Sequence, residues 1–406
     1  MATILLIGTL DTKGAEYGYV RDLIRERGHQ TLVMDAGVVG EPPFVPEISA
    51  AKVAGAGGGS LAQLREQNDR GAAMEVMMRG AAQLAARLYG EGRFNGVLAL
   101  GGGGGTVIAT TAMRELPVGV PKVMVSTVAS GDTRPYVGVK DITMMYSVVD
   151  IAGLNRFSRR ILANAVGAVC GMVEQEVPEA EDRPLLAATM FGVTTPCVTR
   201  VRERLEEAGY EVLVFHATGA GGQSMEALIA DGFVEGVADV TTTEWCDELV
   251  GGVLSAGPNR LEAAGRAGVP QVVSVGALDM VNFAGYETVP PEFRERNLYR
   301  HNANVTLMRT TPEESAELGR IIAGKLNEAT GPTVLLLPLQ GVSAIDKEGG
   351  PFYDAEADEA LFNALRAWVR PPVELVELDL HINDPAFADA VADRLLDLLP
   401  NNGATR

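Results

Sequence analysis

Five consecutive glycines, from Gly101 through Gly105, stand between the apolar run VLAL and the helix-like stretch TVIATTAMREL. Strand, bare loop and helix in that order present backbone N–H groups to an anion, usually a phosphate. Glycine permits close approach and φ > 0, and the helix start carries about half a positive charge. Thr106, directly behind the run, can cap the helix or touch the phosphate.

Other residues of the right kind stand where strands end, which is where open α/β sheets bind ligands. In the first half these are Thr9, Asp11, Lys13, Asp35, the glycines Gly102, Gly103, Gly104 and Gly105, and Ser130, Gly131 and Asp132. Lys13 is the nearest cation. Asp11 or Asp132 could hold Mg2+ through water, since that ion takes hard oxygen ligands. Asp35 closes the second strand, where a dinucleotide fold keeps its ribose-binding acid, or it simply starts a turn. In the second half, Asp279, Asn282, His301, Arg309 and Asp346 are the candidates for catalysis. They combine carboxylates and an amide at a strand mouth, one of only 4 histidines, and the segment QGVSAIDKEGGPFYD. A plain connector rarely needs so many special residues. A further glycine loop, GAGGQS at 219–224, offers a second anion cradle.

The elements that must position these groups follow from apolar spacing. Residues 3–7 read as a strand, 8–14 as a polar turn, 16–27 as a helix and 31–34 as a second strand. The same plan recurs from Pro184 in PLLAATMFGVTTPCVTRVRERLEEAGYEVLVFHATG. Further apolar runs at 237–240, 271–275, 304–308, 334–337 and 373–378 keep α/β spacing, and TPEE at 311–314 is a capping box. The fold class is therefore α/β: two Rossmann-like, doubly wound domains with mostly parallel sheets, over 1–177 and 184–406. An acidic, proline-containing linker is expected at about 171–184.

Composition removes several classes of function. The net charge of -19 repels nucleic acid, so no direct nucleic-acid partner is expected. No apolar run approaches the ~20 residues of a membrane span, and ATILLIG lacks the basic flank of a signal peptide. A cytoplasmic location follows. The 3 cysteines have no metal or disulfide spacing. Cys197, near a helix start, reads as a buried small hydrophobe or as a thiol of lowered pKa. Strand one is followed by Gly8 and LDTKG rather than Gly-x-Gly-x-x-Gly, which argues against a nicotinamide enzyme. GRIIAGKL at 319–326 has Walker spacing, yet it lies inside a helical pattern and ends without Ser or Thr.

The blocks IGTLDTKGAEYGYVRDLI, ALGGGGGTVIATTAM, KVMVSTVASGDTRPYVGVKDITMMYSVVDIAGLN, ADVTTTEW, GALDMVNF, HNANVTLMRTT and QGVSAIDKEGGPFYD resemble the Tm-one-like ATP-binding family, catalogued as uncharacterised protein family 0261. The resemblance runs over nearly the whole chain. It implies two Rossmann-like domains, ATP on the first, and self-association, most simply as a homodimer. The ATP-phosphate role then falls on Gly102, Gly103, Gly104, Gly105 and Thr106, with Thr9, Asp11 and Lys13 close by. The plant member's antiviral function is not carried over. Two readings result. One is an ATP-dependent enzyme acting on a small metabolite held in the cleft facing the second domain. The other is a nucleotide-responsive binding protein whose dimerisation ATP promotes without turnover.

Overall fold

The computed structural model describes residues 1–178 and 183–400, and the chain divides into two compact units, Met1–Glu179 and Ala180–Arg406. The first unit runs β1 (Thr3–Gly8), α1 (Leu10–Glu26), β2 (Gln30–Asp35), α2 (Ala50–Ala56), α3 (Leu61–Gln67), α4 (Arg70–Gly90), β3 (Gly96–Gly101), α5 (Gly103–Arg114), β4 (Lys122–Ser126), α6 (Arg134–Val137), β5 (Thr143–Tyr146) and α7 (Arg156–Glu174). Its five strands are all parallel, in the order β2-β1-β3-β4-β5. Neighbouring strand residues alternate between two cores. Leu5 and Ile7 join α4 and α5, while Ile4 and Leu6 join α1 and α7. Burial on both faces explains why these strands read as unbroken apolar runs.

The order of strands places a switch point between β1 and β3, where ligands of such sheets bind. The ladder between them ends at Ile7 and Ala99. Beyond it the strands part, and the phenol of Tyr17 fills the gap. Its oxygen accepts the Leu100 N–H at 2.8 Å and reaches the carbonyls of Leu100, at 2.9 Å, and of Ile7. A Cβ on Gly8 would lie 2.0 Å from the Tyr17 ring, so only glycine fits at that strand end.

The second unit runs β6 (Leu185–Met190), α8 (Thr195–Glu207), β7 (Glu211–His216), α9 (Ala220–Ala230), β8 (Gly236–Thr241), α10 (Glu244–Val250), α11 (Ala263–Ala267), β9 (Gln271–Gly276), β10 (Met280–Phe283), β11 (Leu298–Asn302), β12 (Val305–Arg309), α12 (Pro312–Asn327), β13 (Thr333–Pro338), α13 (Ala355–Trp368), β14 (Glu374–Leu378) and α14 (Pro385–Leu398). Its parallel six-stranded sheet has the order β14-β13-β9-β8-β6-β7, which repeats the opening order of the first. An antiparallel arm, β10-β12-β11, is inserted after β9. Thr311 caps α12 in the expected box, its hydroxyl accepting the Glu314 N–H and the Glu314 carboxylate accepting the Thr311 N–H. The Walker-like string sits in the middle of that helix.

Three local expectations are corrected, and one strand is added. Residues 10–14 are not a turn but the start of α1, kinked at Lys13 (φ -130°, ψ 23°). The run at 304–308 belongs to the arm rather than the main sheet. The short, half-exposed β5 carries too little apolar pattern to be seen in sequence. The first residues assigned to the linker, 171–174, complete α7, whose capping box at Asn155 starts a helix that continues to Glu174.

Tyr17→Phe leaves the Leu100 amide without its acceptor in a dry interior, a loss of ~1–3 kcal/mol. Urea unfolding of the Phe variant measures it, and an unchanged midpoint would show that the strand ends need no bridge.

Candidate functional site

A cavity of 680 Å³ opens at the carboxyl ends of β1, β2 and β3. One wall is the glycine turn, with Gly102, Gly103, Gly104 and Gly105. Another is the start of α1, with Thr9, Asp11, Thr12 and Lys13. The side facing them is built by α3 and α4, including Arg65, Asn68 and Arg70, over an apolar floor of Leu64, Ala73, Met74, Met77 and Ile108. None of Arg65, Arg70, Met74 or Met77 was legible as site material, because helix residues far from a strand end carry no motif.

Gly101 closes β3, and Gly103, Gly104 and Gly105 form the first turn of α5, with Gly102 as its N-cap. The N–H groups of a helix's first turn have no turn behind them to accept from them. No side chain caps these. The expectation of φ > 0 does not hold, since none of the five glycines has a positive φ. Only Gly101 is required by packing, where a Cβ would stand 2.9 Å from Gly105 Cα. At Gly103 a Cβ would meet nothing within 4 Å, and at Gly104 the nearest atom, Met74 Sδ, is 3.6 Å away. The Arg70 guanidinium lies 3.8 Å from that same point, and among the described residues no hydrogen bond or ion pair ties it down.

The other sequence candidates of this unit divide. Thr106 is fully buried, and its hydroxyl is bonded to the Gly102 carbonyl and to Ser126 Oγ, so it pins the turn and does not face the cavity. Asp35 is buried, and its Oδ1 accepts from the amides of Leu10 (3.1 Å) and Gly37 (2.9 Å). Burial raises its pKa. It is absent from the cavity wall, so the ribose role is replaced by a backbone-capping one. Asp11 Oδ2 holds the amides of Val39 and Gly40. Lys13 Nζ meets the Ile151 carbonyl. Ser130, Gly131 and Asp132 are exposed and lie outside this cavity's lining. The Asp132 carboxylate is gripped by Arg134, which holds its pKa down at about 2. Among the described residues no group of three His, Cys, Asp or Glu stands close enough to bind a metal.

In the second unit the glycine loop after β7 is already filled. Glu244 Oε1 accepts from the amides of Gly219 (2.7 Å) and Gly222 (3.0 Å). Its other oxygen takes Arg260 Nε at 2.7 Å. Arg260 in turn grips Asp239 at 2.5 and 2.6 Å and touches Glu226 at 3.3 Å. Burial raises the Glu244 pKa against the pull of Arg260. The second anion cradle of the sequence is thus satisfied by the protein's own carboxylate. Cys197 is the buried hydrophobe, its thiol pushed up to about 12 by burial.

Of the five catalytic candidates, three come together. Arg309 lies 3.7 Å from Asp346, and it also binds Asp358, Thr310 and the Phe352 carbonyl. Asp279 accepts from Ser343 Oγ at 2.8 Å, and burial and the neighbouring Asp346 charge push it up to about 7. Asp279 and Asp346 are fully buried and line none of the described cavities. Asn282 belongs to a different pair, donating to Asp247 at 2.6 Å, where burial pushes Asp247 up to about 7. His301 is exposed on the arm, its ring 6.4 Å from Tyr299. Neither joins the cluster.

Family models described as the N-terminal and C-terminal domains of Uncharacterised protein family (UPF0261) match residues 2–178 and 183–399. A "UPF0261 protein" of Clostridium tetani is 58% identical over 398 residues, covering 98% of each chain. The "ToMV susceptible protein tm-1(GCR26)" of Solanum lycopersicum is 39% identical over 98% of this chain, which spans 56% of that protein. Among solved structures, MurG of Acinetobacter baumannii is a loose likeness, with 10% identity, a TM-score of 0.23, and 98% and 100% of the two chains covered.

Glu244→Ala leaves two buried amides without an acceptor and takes from Arg260 one of its three carboxylates, so it is expected to cost ~1–3 kcal/mol in chemical denaturation. Glu244→Gln keeps an acceptor for the amides and costs less. Equal losses in the two variants would mean that the loop does not need its plug.

Proposed function

The chain belongs to the UPF0261 family, and on that premise we propose that its first unit binds a nucleoside phosphate, with ATP as the ligand the family resemblance favours. One observation carries the reading. Gly103, Gly104 and Gly105 are not demanded by backbone conformation or by internal packing. Each costs the helix up to ~1 kcal/mol relative to alanine. What they keep bare is the approach to three uncapped amides at the wall of a cavity. A phosphate group uses such amides, and the helix dipole adds to the attraction.

The rest of the cavity fits this ligand class. Its 680 Å³ lies within the ~300–1,000 Å³ of small-molecule sites. Arg70 is the cation free to meet phosphate oxygens, with Lys13 at the opposite wall. Leu64, Met74, Met77 and Ile108 offer an apolar surface to a flat base. A Mg2+ accompanying the phosphates would be held by their oxygens and by water, its preferred ligands. Asp11 and Asp69 are the carboxylates of the cavity lining, and Asp11 Oδ1 has no hydrogen-bond partner among the described residues.

For the output of binding, we favour an ATP-responsive binding protein, and self-association promoted by the nucleotide is what the family resemblance adds. The residues expected to do chemistry in the second unit are enclosed or apart. The alternative, an ATP-dependent enzyme acting on a small metabolite, is favoured by a 490 Å³ cavity at the ends of β13 and β14, lined by Gln340, Lys347, His381 and Asn383 among others.

Calorimetry is expected to show ATP binding to the wild-type chain. Gly104→Val should abolish it while thermal melting stays unchanged. Arg70→Gln should weaken ATP by about tenfold or more, the weight of a charge-assisted hydrogen bond, and leave adenosine untouched. No ATP binding with or without Mg2+ would end the proposal. Light scattering beside an ADP-release assay separates the two outputs.

A further inference from the structure

Four ionisable side chains from four separate elements meet in the second unit with water excluded. Asp279 precedes β10, Arg309 ends β12, Asp346 lies in the loop after β13, and Asp358 lies in the first turn of α13. The side chains of Asp346, Arg309 and Asp358 are 0%, 4% and 13% exposed, and Asp279 is 0% exposed. Arg309 Nη2 binds Asp358 Oδ1 at 2.5 Å, and Asp346 Oδ2 accepts the Val342 amide at 2.9 Å. Asp279 Oδ1 and Asp346 Oδ1 have no hydrogen-bond partner, although both are buried.

The charges do not balance. Three carboxylates against one guanidinium leave two negative charges in a dry interior, where an unpaired ion is costly. Protons remove the deficit, and each protonated carboxyl becomes a donor for an oxygen that lacks one.

The cluster also ties separate segments of the unit together. Arg309 carries the arm, and its Nε donates to the Phe352 carbonyl in the loop. Phe352 packs with Met280 and Leu307 of the arm. The loop that holds Asp346 also holds Gln340, Lys347 and Glu348 of the 490 Å³ cavity. We propose that this cluster is a proton-operated fastener that holds the arm and the loop after β13 against the sheet, and that loss of its protons releases both and reshapes the neighbouring cavity.

The other charged or titratable groups facing it are few. His381, on the loop after β14, faces Asp346, and its Nε2 meets the Ser343 carbonyl. Cys246 of α10 faces Asp279 and Arg309 and stays protonated, because burial raises its pKa. Arg296 bonds the Arg309 carbonyl and is neutralised by Glu314 of α12.

The sign follows from burial. Asp279 is pushed up to about 7, Asp358 to about 8 by burial first and Asp346 second, and Asp346 is raised by burial. Between the unfolded carboxylate pKa of ~4 and these values the folded state binds protons that the unfolded state lacks. The cluster's contribution to stability is therefore fully present at acid pH, falls as pH rises through 7 and 8, and then levels.

Hydrogen exchange on the full chain, corrected for intrinsic rates, tests this at about pH 6 and about pH 8.5. Protection of residues 298–309 and 340–354 is expected to fall at least about tenfold at the higher pH, while β1 and β3 of the first unit do not change. Asp358→Asn, neutral at both values, should keep the protection. Should that variant fold poorly, Asp279→Asn serves, and the wild-type comparison stands alone. Equal wild-type protection at both pH values overturns the proposal. So does an undiminished pH effect in the folded Asn variant.

Discussion

Backbone amides that point out of strand ends must find acceptors, and where they find them decides what each half of this molecule can do. In the second unit the protein supplies the acceptor itself. Glu244 fills the cradle of Gly219 and Gly222, and Arg260 locks it there. In the first unit Asp35 and Asp11 serve the loops after β2, and Tyr17 serves the split between β1 and β3. The first turn of α5, by contrast, has amides at a cavity wall with no side chain capping them. Two glycine loops that look alike in sequence are thus physically opposite, one filled from within and one facing a cavity.

The same constraint, applied to charge, shapes the second unit. Arg260 and Arg309 are each buried among several carboxylates drawn from distant segments. Breaking such a group by removing one partner is costly, whereas making it adds little net stability. Each arginine gathers its carboxylates from segments far apart in the chain. The Arg260 cluster ties β8 to α9 and α10, and the Arg309 cluster ties the arm to the loop after β13.

The framework was legible because local signals agreed with the global fold. Apolar runs such as those of β1, β3 and β13 are buried on both faces, so their composition alone identifies them. Caps at Thr311 and Asn155 mark helix starts through a bond made within three residues. The failures have the same root. β12 has a strand's apolar composition, but composition does not say which sheet it joins. Residues 10–14 carry turn-formers, and only the kinked helix and the capping carboxylate of Asp35 show why they are helical.

Sequence by itself determined the two α/β halves, their repeated opening and the position of a bare glycine turn after β3. Those properties rest on periodicity and on bonds between near neighbours, which short stretches of chain encode. Only the tertiary structure decided which polar residues face a cavity and which face each other. Asp35, Thr106, Asp279 and Glu244 have the chemistry of ligand-binding groups, yet each is committed to a partner inside the fold. Arg70 and Met74, which look ordinary in sequence, form the wall opposite the glycines. The difference lies in burial: a polar group taken out of water must find a partner, and partners far apart in the chain are chosen by packing.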